Sequence, residues 1–262
     1  MMGMKIIQSR DNSFFKELAR LAGSARQRGK ANQALLDGAH LLAAYLDAGM
    51  LPQHILLNTA ALQNSEISAL LERAAGVPLT QLDDRLFAEL SELKTPTGLL
   101  ALIYLPQPAG TLAASRFALL LEDIQDPGNL GSMLRSAAAA GCDTVFLSRG
   151  CADAWSPKVL RAAMGGHFVL EIYERQYLPE VAGAFAGTKL AASLQATDSL
   201  YDCDLHGNLA FLIGNEGAGL SAGLLSMATK TIAIPMPGRI ESLNAAAAAA
   251  ICLFEAVRQR RS

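Results

Sequence analysis

The stretch Gly214-Asn215-Glu216-Gly217-Ala218-Gly219-Leu220, read with Ile234-Pro235-Met236-Pro237-Gly238-Arg239-Ile240-Glu241-Ser242-Leu243-Asn244 downstream of it, decides the fold of this chain. Each segment follows a short apolar run and precedes a helix-forming run, so each reads as a loop leaving the end of a strand. A third segment, Asp126-Pro127-Gly128-Asn129-Leu130-Gly131-Ser132-Met133-Leu134-Arg135, has the same strand–loop–helix setting. In an open α/β sheet small ligands bind at that end of the strands, because loop amides and helix N-termini converge there. Three such loops in one region predict one site.

Outward from these loops, apolar strand candidates at 117–121, 144–147, 169–173, 189–194, 209–213 and 231–234 alternate with helical stretches, and a helix closes the chain over 243–260. Near-continuous apolar strands between helices predict a buried, mostly parallel sheet. Upstream, Pro106-Gln107-Pro108-Ala109-Gly110-Thr111 continues neither regular element and predicts a linker over 106–115. Before it, Phe14, Phe15, Leu18 and Leu21 recur at helix spacing behind an Asp11 or Asn12 cap, and Leu35, Leu36, Leu41, Leu42 and Leu46 do so again. Strand candidates at 54–57, 77–81 and 99–105, with helical stretches at 62–74 and 83–93, complete a small α/β module. The predicted division is a first domain over 1–105, the linker, and a second domain over 116–262.

A chain of 262 residues with 51% apolar content can bury cores of this kind. Its 22 basic and 24 acidic side chains give a formal net charge of −2, which argues neither for nor against a nucleic-acid partner. The distribution is more informative. Residues 1–30 carry Lys5, Arg10, Lys16, Arg20, Arg26, Arg28 and Lys30 against Asp11 and Glu17, a local net of +5, whereas 31–115 has three basic and eight acidic residues. Such asymmetry marks either a polyanion contact or a solvated helix face. Cys142, Cys151, Cys203 and Cys252 form no CxxC pair and no Cys/His cluster with metal spacing, so reduced thiols and no metal site are expected. Met1 to Asn12 shows no signal-peptide pattern, and the apolar run at 245–254 is about half the length of a membrane span. A cytoplasmic protein without membrane association is expected.

The glycine spacing Gly214-x-x-Gly217-x-Gly219 inverts the G-x-G-x-x-G fingerprint, and no acid ends a following strand at the required distance, which argues against a nicotinamide or flavin enzyme. These glycines serve either close approach of a ligand to the backbone or a tight turn. Glu216, a carboxylate between glycines, suits a charge or hydrogen-bond task, or is a solvated loop acid. Asn129 is a candidate cap as well as a candidate site residue, and one of Ser242 and Asn244 is expected to cap the last helix. Arg135 near a helix start opposes the helix dipole, so dipole preference does not place it there; a forked cation suits a phosphate or ribose partner.

Taken in order, Asp126-Pro-x-Asn129-x-Gly131-x-x-x-Arg135, Gly214-x-Glu216-Gly-x-Gly219-Leu220 and Ile234-Pro-Met236 with Ser242-Leu-Asn244 resemble the three signature motifs of the SpoU-type RNA 2'-O-ribose methyltransferases of the SPOUT superfamily. The resemblance covers the whole of 116–262. The segment Ser9-Arg-Asp-Asn12-x-x-x-Lys16, with Leu36-Asp37-Gly38 where relatives more often have Glu-Gly, resembles the substrate-binding module common in that family. That module is related to an RNA-binding ribosomal-protein fold. Pro237 before Gly238 departs from the pattern without disturbing its polar positions.

The resemblance implies an α/β protein whose carboxy-terminal sheet, mostly parallel, carries a trefoil knot, beside a smaller amino-terminal α/β domain. It implies a homodimer and S-adenosylmethionine as cofactor, held in a bent form largely by backbone groups at Ile213, Gly214, Gly219, Ile234, Met236 and Leu243. The implied reaction is methyl transfer to a ribose 2'-hydroxyl in RNA, with Arg135, Asn129, Glu216, Ser242 and Asn244 as its catalytic set. Because arginine stays protonated, Arg135 is expected to hold a phosphate and stabilise developing alkoxide charge rather than act as base. Glu216 either orients Asn129, Ser242 or Arg135, or takes the proton. The amino-terminal domain would grip RNA through Arg10, Lys16, Arg20, Arg26, Arg28 and Lys30, with Lys158 and Arg161 of Ser156-Pro-Lys-Val-Leu-Arg as secondary contacts. Ribosomal RNA is expected over transfer RNA, since a separate amino-terminal module is the usual arrangement among ribosomal members. Transfer RNA as substrate, or a non-catalytic RNA-binding or ribosome-assembly factor, is the alternative.

Overall fold

Residues 4–93, 97–109, 115–215 and 217–261 are described by a computed structural model, in which the chain divides into two compact units. One holds the residues up to Pro106 together with Trp155–Phe168; the other holds Gln107–Ala154 and the chain from Val169 onward. Of the predicted linker, 110–114 lie outside the described residues.

The first unit contains β1 (Lys5–Ile7), α1 (Ser13–Gly23), α2 (Ala25–Ala31), β2 (Gln33–Asp37), α3 (Ala39–Asp47), β3 (His54–Leu57), α4 (Ser65–Arg73), β4 (Leu79–Leu82), α5 (Asp84–Leu90) and β5 (Leu99–Tyr104). Its sheet runs β1-β4-β3-β5-β2, parallel from β1 to β3 and antiparallel where β5 meets β3 and β2. Of the two candidate caps, Asn12 starts α1, its Oδ1 accepting from the backbone N of Phe14 and Phe15 at 3.0 and 3.2 Å. Phe15, Leu18 and Leu21 then bury against Ile7, Leu56, Leu82 and Phe87. The apolar run read as one helix over Leu35–Leu46 is instead β2 followed by α3. Gly38 at φ +109° turns the chain between them, a conformation that side-chain-bearing residues resist. Leu35 and Leu36 ladder with Leu102 and Ala101 of β5. The short strand β1 escaped the pattern because only Ile7 of its three residues is buried.

The second part of the chain supplies β6 (Phe117–Leu121), α6 (Pro127–Ala140), β7 (Thr144–Ser148), α7 (Pro157–Ala163), β8 (Glu171–Gln176), α8 (Leu178–Ala184), β9 (Thr188–Ala192), β10 (Leu209–Ile213), α9 (Ala222–Leu225), β11 (Lys230–Ile232) and α10 (Ala245–Arg260). Helix α7 belongs to the first unit, where it packs on β2. The other strands form one sheet in the order β11-β9-β10-β6-β7-β8, with parallel pairing throughout. Every residue of β6 and β10 is buried, as expected of central strands covered on both faces. The chain leaves β6 toward β7 and β8 on one side, and later returns β10 to the other side of β6. The C-terminal ends of β6 and β10 therefore flank a switch in strand order, the position at which ligands bind in open α/β sheets. Helices α6 and α10 pack along each other, and the small buried Ala245, Ala246, Ala249 and Ala256 of α10 permit close approach. Among the described residues no helix is long and apolar enough to cross a membrane.

Candidate active site

Strands β6 and β10 end level with each other, Leu121 beside Ile213, so the loops of the first and second motifs leave the sheet side by side. They are tied together at once. Glu122 N donates to Ile213 O at 2.9 Å, and Asn215 Nδ2 donates to Asp123 O at 2.9 Å. Asn215 Oδ1 accepts from Gly217 N and Ala218 N, while Gly219 N closes onto Asn215 O at 2.9 Å. The turn is tight enough that a Cβ on Gly214 would lie 2.3 Å from the backbone C and O of Gly219. Gly219 itself has φ +68°. Both glycines thus satisfy turn geometry; Gly217 meets only Asn215 Oδ1, at 3.4 Å from a notional Cβ. Glu216 lies outside the described residues.

The first motif opens α6. Asp126, not Asn129, is the cap: its Oδ1 accepts from Asn129 N at 2.7 Å, and Pro127 occupies the first turn, where its missing N–H costs nothing. Asn129 is therefore spared capping duty and half-buried. In the third motif Asn244 is the cap of α10, its Oδ1 accepting from Ala246 N and Ala247 N at 2.9 and 3.3 Å, and Ser242 is an exposed residue of the approach. The Nδ2 of Asn244 then donates to Asn129 Oδ1 at 2.9 Å, joining the N-termini of α6 and α10 across a separation of 115 residues. Arg135 is exposed on α6, about 9 Å further along the helix axis at about 1.5 Å per residue.

Beyond β11 the chain makes one last ladder-like contact, Ala233 beside Ser199, and then runs as coil to Asn244. Residues 234–243 form no backbone hydrogen bond with other described residues. Ile234 and Met236 are half-buried, whereas Ile240 and Leu243 are exposed apolar side chains. Ile213, at 3% exposure, sits in the core at the end of β10.

Sequence reasoning passed over Glu122. Its carboxylate accepts from Ser221 N at 2.7 Å and Ser221 Oγ at 2.8 Å, while Ser221 caps α9, so one acid ties the end of β6 to the far side of the second motif. Its position immediately after the apolar run of β6 was the available signal.

The basic residues divide by environment. Arg28 is only 5% exposed, and its Nη1 donates to the carbonyls of Leu21 and Ala22, satisfying the open end of α1. It presents no charge to an RNA, and the expectation that it does is withdrawn. Arg10 pairs with Glu89, and Lys16 with Asp11 at 2.8 Å. Arg20, Arg26 and Lys30 are exposed with no ion-pair partner among the described residues. Lys158 and Arg161 are exposed on α7, in the first unit. Arg161 acts electrostatically on Asp37, whose carboxyl is raised above its ordinary value chiefly by burial, against hydrogen bonds from Ser91 Oγ and Glu92 N.

Comparison with known proteins agrees with this geometry. Residues 116–254 match the SpoU rRNA methylase family, and residues 12–101 match the MRM3-like substrate-binding domain. The chain is 34% identical to the 23S rRNA (guanosine(2553)-2'-O)-methyltransferase RlmP of Bacillus subtilis, over 96% of this chain and 98% of that protein. It is 30% identical to the human mitochondrial rRNA methyltransferase 3, over 89% of this chain and 69% of that protein. A crystal structure of an RNA 2'-O ribose methyltransferase superposes with a TM-score of 0.83 at 30% identity, covering 98% of this chain and 100% of the other. The SpoU methyltransferase AviRb from Streptomyces viridochromogenes, in complex with AdoMet, superposes with a TM-score of 0.82 at 26% identity, covering 95% and 99%. With the motif loops gathered at one sheet edge and both regions matched in order along the chain, the protein belongs to the SpoU rRNA methylase family.

Proposed function

We propose that this protein transfers a methyl group from S-adenosylmethionine to a ribose 2'-hydroxyl of ribosomal RNA, in the cytoplasm and as a homodimer. The observation that carries the reading is the Asn244–Asn129 hydrogen bond, which joins the first and third motifs at the switch in strand order, beside the second. The residues at this edge fit the cofactor. The 234–243 segment has backbone groups not engaged in secondary structure, and Ile234, Met236 and Leu243 leave apolar surface there for a ligand to contact. When bound, S-adenosylmethionine supplies an electrophilic methyl on a sulfonium.

The chain's own residues then have to align the ribose and manage its charge. Asn129 and Asn244 lock each other's amides, presenting a preset arrangement rather than one assembled at each turnover. Arg135, extended from α6, holds a phosphate of the target nucleotide and steadies the charge developing on the 2'-oxygen. Ser242 and Glu216 complete the set, Glu216 orienting these groups or accepting the proton. The first domain, over 1–105, grips RNA through Arg20, Arg26 and Lys30 together with Arg10 and Lys16, and Lys158 and Arg161 of α7 lie in the same unit. The second domain, over 116–262 apart from the Trp155–Phe168 segment that joins the first unit, carries the chemistry, with its carboxy-terminal segment threaded as a trefoil knot.

The test is incubation with methyl-labelled S-adenosylmethionine and ribosomal RNA from cells lacking the gene, followed by nucleoside analysis. Label in a 2'-O-methyl nucleotide, lost in Arg135→Ala with cofactor affinity retained, is the expected result. Label confined to transfer RNA would overturn the substrate, and no label in either ribosomal RNA or its precursor particles would overturn the reaction.

A further inference from the structure

On the other side of the same sheet edge lies a cleft of about 380 Å³ with mixed polar and apolar walls, among them Glu122, Asp123, Ser148, Arg149, Gln176 and Tyr177. That volume is in the range of small-ligand sites. The cleft opens at the C-terminal ends of β6, β7 and β8 on the face covered by α8 and α9, where Leu178, Val181 and Leu224 pack on Ala118, Leu120 and Phe146. Alternate strand residues point to opposite faces. Phe117 accordingly faces the other way, beneath Arg260 of α10. The Asn129–Asn244 pair and this cleft thus share the edge from opposite sides, separated by the loop that begins at Glu122.

Its walls are deliberately shaped. The β7–β8 pairing slips between Phe146, opposite Tyr173, and Ser148, opposite Gln176, leaving an extra residue on β8. Arg175 takes φ +59° there, and Asp123 takes φ +54° on the facing wall. Left-handed conformations of non-glycine residues cost energy and concentrate at functional sites, and bulges re-aim the side chains that follow. The residue delivered to the mouth is Tyr177, 63% exposed, beside an exposed Arg149. The floor is rich in acceptors that are held still: Glu122 by Ser221, and Asp123 by Ser148 Oγ at 2.6 Å. Gly150 makes room for this, since a Cβ there would lie 2.1 Å from Asp123 Oδ1. Carboxylate oxygens with one donor each retain lone pairs for further donors.

An aromatic face, a guanidinium and fixed acceptors are the parts that recognise an unstacked nucleotide: a base to stack, a phosphate to pair, and amino groups to donate. We propose that this cleft takes a nucleotide of the RNA flanking the methylated one, its base on Tyr177 and its phosphate on Arg149, so that both act as positioning residues for the substrate. The inference rests on the methyltransferase reading.

The test uses the full-length protein and its Tyr177→Ala, Tyr177→Phe and Arg149→Ala variants. Five quantities are measured: kcat and KM for ribosomal RNA from cells lacking the gene, affinity for the same RNA by filter binding, S-adenosylmethionine affinity by calorimetry, and mass by light scattering. Tyr177→Ala and Arg149→Ala are expected to raise KM and the RNA Kd by about 5- to 50-fold, the effect of losing one stacked base or its phosphate contact. Tyr177→Phe should behave as wild type, with cofactor affinity and mass unchanged in all three. Wild-type KM and RNA affinity in Tyr177→Ala would overturn the proposal, and so would a change in mass, which would make Tyr177 part of a protein interface. If the wild-type protein transfers no methyl, the methyltransferase reading fails by itself. RNA affinity then still decides the cleft, weakened in Tyr177→Ala if it holds a nucleotide and unchanged if it does not.

Discussion

Replacing Asn244 by alanine removes two interactions at once, and a double-mutant cycle with Asn129→Ala separates them. The cap, in which Asn244 Oδ1 accepts from Ala246 N and Ala247 N, is worth about 1 kcal/mol. The bond from Asn244 Nδ2 to Asn129 Oδ1 adds about 1 kcal/mol, as is usual for neutral partners. Asn244→Ala should therefore cost about 2 kcal/mol and lower the calorimetric midpoint by roughly 4–8 °C in a protein of this size. Asn129→Ala keeps the cap, loses the second interaction and regains part of it through alanine's helix preference, so its midpoint should fall by less than that of Asn244→Ala. In the Asn129→Ala background, Asn244→Ala should cost only the cap, a coupling of about 1 kcal/mol. Methyl transfer, measured on the same variants, should fall far more than stability in Asn129→Ala. A coupling below about 0.3 kcal/mol, the ordinary scatter of independent sites, would refute the claim that this hydrogen bond organises the edge.

The buried Arg28 separates structure from RNA binding. Arg28→Ala should cost about 2 kcal/mol in urea unfolding by stripping the α1 carbonyls of a charged donor, while combined Arg20→Gln, Arg26→Gln and Lys30→Gln should flatten the salt dependence of RNA binding by about 0.7–0.9 log units per lost contact. Weaker RNA binding by a fully stable Arg28→Ala would reverse the assignment. Within one glycine motif, Gly214→Ala should lower S-adenosylmethionine affinity at least about tenfold by calorimetry, because the new Cβ would strike backbone that cannot yield, whereas Gly217→Ala should bind normally. Equal affinities would show that the turn is not required. Glu255 is gripped by Arg258 through two bonds of 2.8 and 2.7 Å, which hold its carboxyl down from 4.5 to about 2. A depressed carboxyl stabilises the folded state above its unfolded value, so this contribution should be complete above about pH 4.5 and disappear as pH falls toward 2. Glu255→Gln should make stability less steep across that window, and an unchanged slope would remove the pair from the acid response.

Where the chain could be read, the reading rested on short-range chemistry. The caps Asn12 and Asn244 are each one of two residues the sequence offers, because capping involves atoms two or three residues apart, whereas at α6 the cap is Asp126 and not the candidate Asn129. The apolar runs of β6 and β10 declare themselves because both faces of a central strand are covered. Legibility failed where one pattern serves two structures. Leu35 and Leu36 fit a helix stripe and a strand equally well, and only the left-handed Gly38 and the ladder with β5 decide between them. Arg28 looked like its basic neighbours because charge says nothing about burial. Glu122, unlike Glu216, has no flanking glycines in the sequence to draw attention to it.

The sequence by itself determined that three polar loops end apolar strands, in which order they come, and that a helix follows each of them. That the loops share one site is an expectation of the sequence; only the tertiary structure decided which atoms join them. Asn215 reaches Asp123 across 92 residues and Asn244 reaches Asn129 across 115, because β10 inserts beside β6 and α10 packs along α6. Hydrophobic period and capping chemistry act within a few residues, whereas strand order is set by the packing of whole elements, so the site's parts were legible in the chain and the contacts that assemble them were not.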